Sequence, residues 1–253
     1  MTNIILNGCN GRMGRVITAL AEMDDNFNIA AGLDISDACP NSYPVYSDIK
    51  NCTEDADVIV DFSHPSALSS ILEFAKKRKL PVIISTTGLS DGQKEEIVAA
   101  SKEIPVFFSA NMSLGVNLIT TLAKKAAAIL EGDFDIEILE KHHNRKLDAP
   151  SGTALAIADA ISGVLKQEPE YVYDRHSVRK KRSPNEIGIH SVRGGSIVGE
   201  HEIIFAGVDE VIEIKHQATS REVFAVGSLR AAEFMKNKEN GLYSMDNLIG
   251  EMI

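Results

Sequence analysis

Asn3-Ile4-Ile5-Leu6-Asn7-Gly8-Cys9-Asn10-Gly11-Arg12-Met13-Gly14 is the stretch that decides the fold. Its first five residues read as a short buried strand, and three glycines crowd the next seven. Val16, Ile17, Leu20 and Ala21 then recur at the spacing of one apolar helix face. Strand, glycine turn and helix in that order form the context that a dinucleotide-binding turn requires. Glycine lets the backbone approach a pyrophosphate, which rests on the helix N-terminus, where free N–H groups and the helix dipole favour an anion. Gly8, Cys9, Asn10, Gly11, Arg12 and Met13 are therefore expected cofactor contacts. The spacing Gly-x-x-Gly-x-x-Gly is looser than Gly-x-Gly-x-x-Gly, with Asn10 in the second glycine position. Such a turn alone also fits an ordinary tight turn.

A second strand, Asn28 to Leu33, supplies the discriminating residue. It ends in Asp34, twenty residues after Gly14, where a carboxylate would bond the adenine ribose hydroxyls. An ordinary strand-end turn residue is the competing reading. The same carboxylate would repel a 2′-phosphate, and the next residue is Ile35 instead of a basic partner. NADH is expected to serve at least as well as NADPH, which Arg12 in the phosphate turn keeps in play.

Outward from this turn the chain keeps alternating. Strands at Asp57 to Phe62, Leu80 to Ser85 and Ile104 to Phe108 are followed by helices at Pro65 to about Lys77, Asp91 to Ser101 and Leu114 to Leu130. This rhythm predicts a parallel sheet with right-handed crossovers. Ligands bind beyond the carboxyl ends of such strands. Phe62-Ser63-His64, Ser85-Thr86-Thr87-Gly88 and Ser109-Ala110-Asn111-Met112 are thus either cofactor contacts or polar turns.

Phe134-Asp135-Ile136-Glu137-Ile138 alternates as a half-buried strand does and leads into Glu140-Lys141-His142-His143-Asn144-Arg145-Lys146-Leu147-Asp148-Ala149-Pro150-Ser151-Gly152-Thr153. Ala154, Leu155, Ile157, Ala158 and Ile161 then give a helix face, with Ser151 able to cap its start. Neutral histidine beside lysine suits proton transfer near pH 7. A helix N-terminus preceded by Ser151-Gly152-Thr153 is a seat for a carboxylate. A satisfied core histidine beside a solvated turn is the bland alternative, and Lys146 with the Ser-Gly-Thr start weighs against it. Ile187 to Val192, Ser196 to Phe205 and Val211 to His216 read as consecutive strands, and Glu222 to about Lys236 as a final helix.

The expected architecture is α/β. A Rossmann-type parallel-sheet domain, residues 1–113 with 221–253, binds the dinucleotide. A second α+β domain, residues 114–220, has a mixed or antiparallel sheet and binds substrate.

Apolar and charged fractions of 44% and 25% in 253 residues are those of a globular protein with sizeable cores. No apolar run approaches membrane-spanning length. A net charge of −10 argues against nucleic acid or anionic membranes as partners. Cys9, Cys39 and Cys52 form no close pair, so no disulfide framework and no metal site is indicated, as suits a reducing cytoplasm. The basic run from Arg175 to Arg182 reads as a solvated loop, or as a source of positive field for a dianionic substrate.

Taken together, the glycine turn Gly8 to Gly14 and the run Glu140 to Ala154 resemble those of the dihydrodipicolinate reductase family. The resemblance extends over essentially the whole chain, including Thr86-Thr87-Gly88, Ala110 to Asn117 and Arg193 to His201. It implies a reductase of a cyclic dicarboxylate imine in the diaminopimelate route to lysine, using NADH or NADPH. His142 would be the acid/base residue and Lys146 the proton donor. His143, Ser151, Gly152 and Thr153 would hold substrate carboxylates. Gly8 to Met13 would take the pyrophosphate and Asp34 the ribose. Ser85, Thr86 and Thr87, with Ser109, Ala110, Asn111 and Met112, would line the nicotinamide side. It also implies a homotetramer whose second-domain sheets associate. The family often has Arg where His64 stands, and some members have it where Ile35 stands. Two rival readings are a related NAD(P)-dependent dehydrogenase on another amino-acid-like substrate and a non-catalytic nucleotide-sensing module. Neither needs His143, Lys146 and Ser151-Gly152-Thr153 together.

Overall fold

In chain order, β1 (Thr2–Asn7), α1 (Arg12–Ala21), β2 (Phe27–Leu33), the short β3 (Val45–Tyr46), β4 (Val58–Asp61), α2 (Leu68–Arg78), β5 (Val82–Ile84), α3 (Asp91–Ala100) and β6 (Pro105–Phe108) alternate strand with helix. Then come α4 (Leu114–Leu130), β7 (Asp135–His142) and α5 (Gly152–Ser162). Four strands follow without helices between them: β8 (Glu170–Val172), β9 (Glu186–Arg193), β10 (Gly199–Ala206) and β11 (Val211–Ala218). α6 (Glu222–Met235), β12 (Gly241–Tyr243) and α7 (Met245–Gly250) complete the chain. The computed structural model describes residues 1–36 and 40–252, so Cys39 lies outside the described residues. The chain divides into two units, Met1–Leu114 with Arg221–Ile253, and Gly115–Ser220.

The first unit is built on a seven-stranded sheet in the order β12-β6-β5-β4-β1-β2-β3, with every pairing parallel. Parallel strands covered on both faces must be apolar on both. β1 shows it: Ile4 and Leu6 join a core with α1 and α6, while Ile5 joins the opposite core with α2. Strand order reverses at β1, between β2 and β4. Such a reversal opens a crevice beyond the carboxyl ends of the strands, the usual ligand position in this class of sheet.

Some details differ from the sequence reading, among them the short edge strands β3 and β8, which it did not anticipate. Pro65–Ala67 forms a 3-10 turn and α2 starts only at Leu68. The chain does not end on α6, because β12 pairs with β6 at the sheet edge and α7 follows. A three-residue strand is too short to show a period. β10 begins at Gly199 instead of Ser196, since Gly195, at φ +48, turns the chain just before it.

The second unit holds a five-stranded mixed sheet, β11-β10-β7-β9-β8. β10 runs antiparallel to both β7 and β11, while β7 and β8 run parallel to β9. Ile136, Ile138, Ile187, Ile189, Ile203 and Phe205 point to one face and pack on α4 and α5. Truncating a fully buried member such as Ile138 to Ala costs about 2–5 kcal/mol. The opposite face carries the other residues of the alternation, among them Lys141, Val192, Glu200, Val211 and Lys215.

The basic run is a loop exposed over residues 175–181, anchored to the sheet by the arginines at its two ends. Arg175 bonds Glu186 at 2.9 Å and Glu137 at 2.7 Å, and Arg182 bonds Asp135 at 2.7 Å and Glu137 at 3.1 Å. Glu137 lies across Gly188, where any Cβ would fall 1.7 Å from its Oε2. The positive charge of Arg175 and Arg182 is thus neutralised on the sheet itself.

Candidate active site

The expected site residues fall into two groups, one in each unit. In the first unit, Gly8 sits at φ +80, and a Cβ there would lie 2.6 Å from the carbonyl oxygen of Phe62. At Gly14 a Cβ would lie 2.2 Å from the carbonyl oxygen of Gly8. The turn therefore packs backbone to backbone on the end of β4, and α1 packs on the turn. No side chain caps α1 at Gly11, and its first turn holds no acidic residue. The initial N–H groups of a helix lack intrahelical acceptors, so this uncapped end suits a pyrophosphate. The observation bears directly on fit: the turn rejects side chains where a cofactor backbone approach is needed, and leaves the positive helix end bare.

Cys9, Asn10 and Asp34 hold the turn together. Cys9 is buried, with its sulfur so close to Gly32 that a Cβ there would lie 2.6 Å away. The Asn10 side chain donates to the carbonyl of Ser36 and accepts from Asn41. Asp34 clasps the turn, accepting from the backbone N–H groups of Asn10 at 2.9 Å and Ser36 at 3.1 Å. A carboxylate offers about four acceptor positions, so Asp34 retains capacity for ribose hydroxyls. A cavity of about 870 Å³ is lined by Gly8, Gly11, Asp34, Ile35, Lys50 and His64, among others. Arg12 and Ile35 are exposed.

The strand-end segments are shaped by buried bonds. The Asp61 carboxyl, buried at the end of β4, accepts from Asn7 at 2.7 Å, Ser63 at 2.5 Å and Thr86 at 2.6 Å. Thr86 is buried, Thr87 is exposed, and the Ser85 hydroxyl is buried with no partner among the described residues. Ser109 closes a small turn onto Asn111, its hydroxyl donating to the Asn111 carbonyl at 2.8 Å. Met112 is buried against α6, where a Cβ on Gly227 would fall 1.7 Å from the Met112 carbonyl oxygen.

In the second unit the geometry centres on Glu140, whose side chain is wholly buried. Residues two apart on a strand share a face, so Glu140 and His142 both point to the helix-covered side of the sheet. Glu140 Oε2 lies 2.6 Å from His142 Nδ1 and 2.8 Å from an Arg193 nitrogen. Glu140 Oε1 accepts from Arg193 at 2.6 Å and from the Ser151 backbone N–H at 3.1 Å. Burial alone would raise this carboxyl; hydrogen bonds from Arg193, Ser191 and His142 outweigh it and bring the pKa down to about 2. Burial lowers the pKa of His142, partly offset by Glu140.

Next to this pair, His201 on β10 stands edge-on to His142, ring centres 5.3 Å apart, and bonds the Ser151 hydroxyl at 3.1 Å. Burial pushes the His201 pKa down to about 4, so it is neutral near pH 7. Ser151 is the N-cap of α5, accepting from the Ala154 N–H at 3.1 Å. Its hydroxyl and N–H are both engaged within the protein. The next residue, Gly152, is exposed, and a Cβ there would meet nothing within 4 Å. Thr153 is half-buried beside it. Lys146 pairs with Asp148 at 2.8 Å. His143 Nδ1 is buried with no partner among the described residues.

The structure thus brings together His142, Ser151 and the start of α5, with His143 and Lys146 on the connecting loop. Sequence reasoning missed Glu140, Arg193 and His201 as parts of this cluster. A glutamate two residues before a histidine on a strand was the available signal for the first. The other two depend on strand register, which aligns His142 with Arg193 and Glu140 with His201.

Family models described as dihydrodipicolinate reductase, N-terminus and C-terminus, match residues 2–112 and 115–249. A protein named 4-hydroxy-tetrahydrodipicolinate reductase from Caldanaerobacter subterraneus subsp. tengcongensis is 55% identical, covering 98% of each chain. Its namesake from Clostridium novyi is 50% identical, again covering 98% of each. The solved structure of dipicolinate-bound dihydrodipicolinate reductase from Paenisporosarcina sp. TG-14 superposes with a TM-score of 0.81 at 25% identity, covering 96% of this chain and 97% of that one. A probable dehydrogenase from Thermotoga maritima shares the fold alone, with a TM-score of 0.62 at 13% identity. On these matches, which span nearly every residue, the chain belongs to the dihydrodipicolinate reductase family.

Proposed function

We propose that this chain is a 4-hydroxy-tetrahydrodipicolinate reductase, acting in the cytoplasm in the diaminopimelate route to lysine. The first unit is the dinucleotide-binding domain. The second binds substrate and carries the oligomer contacts. The single observation that carries the reading is the cluster of His142, anchored on buried Glu140, beside the open α5 start at Gly152.

Loss of the ring hydroxyl of the substrate, with a neighbouring hydrogen, as water leaves the ring to be reduced, an α,β-unsaturated imine bearing two carboxylates. When bound, the nicotinamide supplies hydride to its conjugate carbon. Negative charge then develops on the ring, and a proton has to arrive. Lys146 donates it, and His142 acts as the acid/base partner and stabilises the developing charge. The N–H groups at the start of α5 and the Thr153 hydroxyl hold one carboxylate, and His143, whose Nδ1 has no partner among the described residues, faces the other. Ser151 contributes by fixing the helix start.

Gly8 to Met13 hold the pyrophosphate on the bare N-terminus of α1, and Asp34 takes the ribose hydroxyls. Ser85 to Thr87 and Ser109 to Met112 line the nicotinamide side. NADH serves at least as well as NADPH, because Asp34 repels a 2′-phosphate and Ile35 offers it no partner. The exposed face of the second sheet, with Val192, Val211 and Lys215, associates with copies of itself in a homotetramer. NADH oxidation with freshly generated hydroxy-tetrahydrodipicolinate tests the activity; no turnover with either cofactor would overturn it.

A further inference from the structure

We infer that Glu140 is a positioning residue for the reaction: its two oxygens orient the His142 ring and the start of α5 as one rigid assembly. The inference rests on the proposed reductase activity and adds a group that the sequence reading did not assign. Oε2 takes His142 Nδ1 at 2.6 Å, Oε1 takes the Ser151 N–H at 3.1 Å, and the Arg193 guanidinium clamps both oxygens at 2.8 and 2.6 Å. Arg193 in turn reaches the Asp148 carbonyl at 2.7 Å, tying down the loop that carries Lys146. His142, the start of α5 and, through Arg193, the Asp148 end of the loop that carries Lys146 are thus referenced to one wholly buried carboxylate.

The chemistry of the bond fixes the tautomer. An ionised carboxylate only accepts hydrogen bonds, so His142 Nδ1 must carry the proton and Nε2 becomes the exchanging nitrogen. Nε2 faces Gly199, where a Cβ would lie 3.2 Å away, so a side chain at that position would crowd it. Carboxylate-held imidazoles elsewhere gain orientation and a stabilised charged form in the same way.

Besides Glu140 on its own strand, the titratable groups facing His142 are Arg193 from β9, His201 from β10 and Lys146 from the loop. His216 on β11 lies beyond His201 in the cross-strand row. Arg193 and Lys146 disfavour protonated His142, buried His201 is neutral near pH 7, and Glu140 alone in this set favours the protonated form. Loss of the Glu140 charge therefore lowers the proton affinity of His142 further.

The test has two arms. Nitrogen-15 NMR of the wild-type protein, with the His142 signals assigned by their loss in His142→Gln, reads the tautomer directly. Protonated Nδ1 and bare Nε2 in the neutral ring are expected; a proton on Nε2 would overturn the inference. In Glu140→Gln, checked for folding by its melting curve and by unchanged NADH binding, the pH limb of kcat set by His142 moves down by about one unit or more. A merely structural role would lower the amount of active enzyme and leave that limb in place, and a superimposable profile would overturn the inference. If the wild-type protein fails to reduce the substrate while the tautomer is as expected, it is the reaction assignment that falls, and the catalytic meaning of Glu140 falls with it.

Discussion

Lys146 keeps its ammonium 2.8 Å from the Asp148 carboxylate, a pairing that lowers the Asp148 pKa and holds the lysine on its loop. Removing either member of the proton machinery is costly. His142→Gln and Lys146→Ala are each expected to lower kcat by on the order of a hundredfold or more. Dissociation constants for NADH, read by fluorescence, should stay near wild type, and near-wild-type turnover in both variants would sink the role assigned to them. Asp34 poses a different residue-scale question, because it already serves the turn. Replacing Asp34→Ser and Ile35→Arg together removes the repulsion of a 2′-phosphate and adds a cationic partner. The ratio of kcat/KM for NADPH over NADH should rise about tenfold, or about 1.4 kcal/mol; an unchanged ratio would mean that Asp34 only clasps Asn10 and Ser36. At this scale the sequence revealed residue types suited to proton transfer and anion binding. It did not reveal that the Ser151 hydroxyl is occupied as a helix cap, nor that Arg193 meets Glu140. Those two residues are 53 apart, and only strand register brings them together.

Elements were legible where they were long. α1, α4, α5 and α6 carry apolar faces over ten residues or more, and β1 and β7 show their strand character clearly. β3, β8 and β12 have two or three residues each and lie at sheet edges, where no period is visible and pairing is decided by the neighbouring strand. The cross-strand pair His201 and Glu140 is equally invisible in the linear pattern, yet it has a measurable consequence. His201 titrates near 4 in the folded protein because burial disfavours its charge, whereas the unfolded chain takes up a proton near 6.5. Its contribution to stability is therefore full above about pH 6.5 and is lost progressively as the pH falls towards 4. The total is on the order of 3 kcal/mol. Urea titrations of wild type and His201→Gln at pH 7 and pH 4.5 should show a shallower decline in the variant. Parallel declines would contradict the buried, neutral state. Glu140, at about 2, contributes stability that is present above its ordinary value near 4.5 and lost at still lower pH.

At the scale of the whole molecule, the chain carries a net charge of −10 and keeps Arg175 and Arg182 neutralised on the second sheet. The exposed face of that sheet mixes Val192 and Val211 with the Lys141, Glu200 and Lys215 ion row, a composition suited to self-association. Sedimentation equilibrium should give four times the 27.5 kDa chain mass, and a monomer at micromolar concentration would remove the tetramer from the account. The division into a parallel-sheet unit and a mixed-sheet unit could be read from the order of strands and helices. The central claim, reduction of a cyclic dicarboxylate imine, is tested most directly by following NADH absorbance with freshly generated hydroxy-tetrahydrodipicolinate, with pyridine-2,6-dicarboxylate as competitor. The account predicts substrate-dependent oxidation that the competitor suppresses and that His142→Gln largely abolishes. Absence of oxidation with both NADH and NADPH, in folded protein that binds the cofactor, would contradict it.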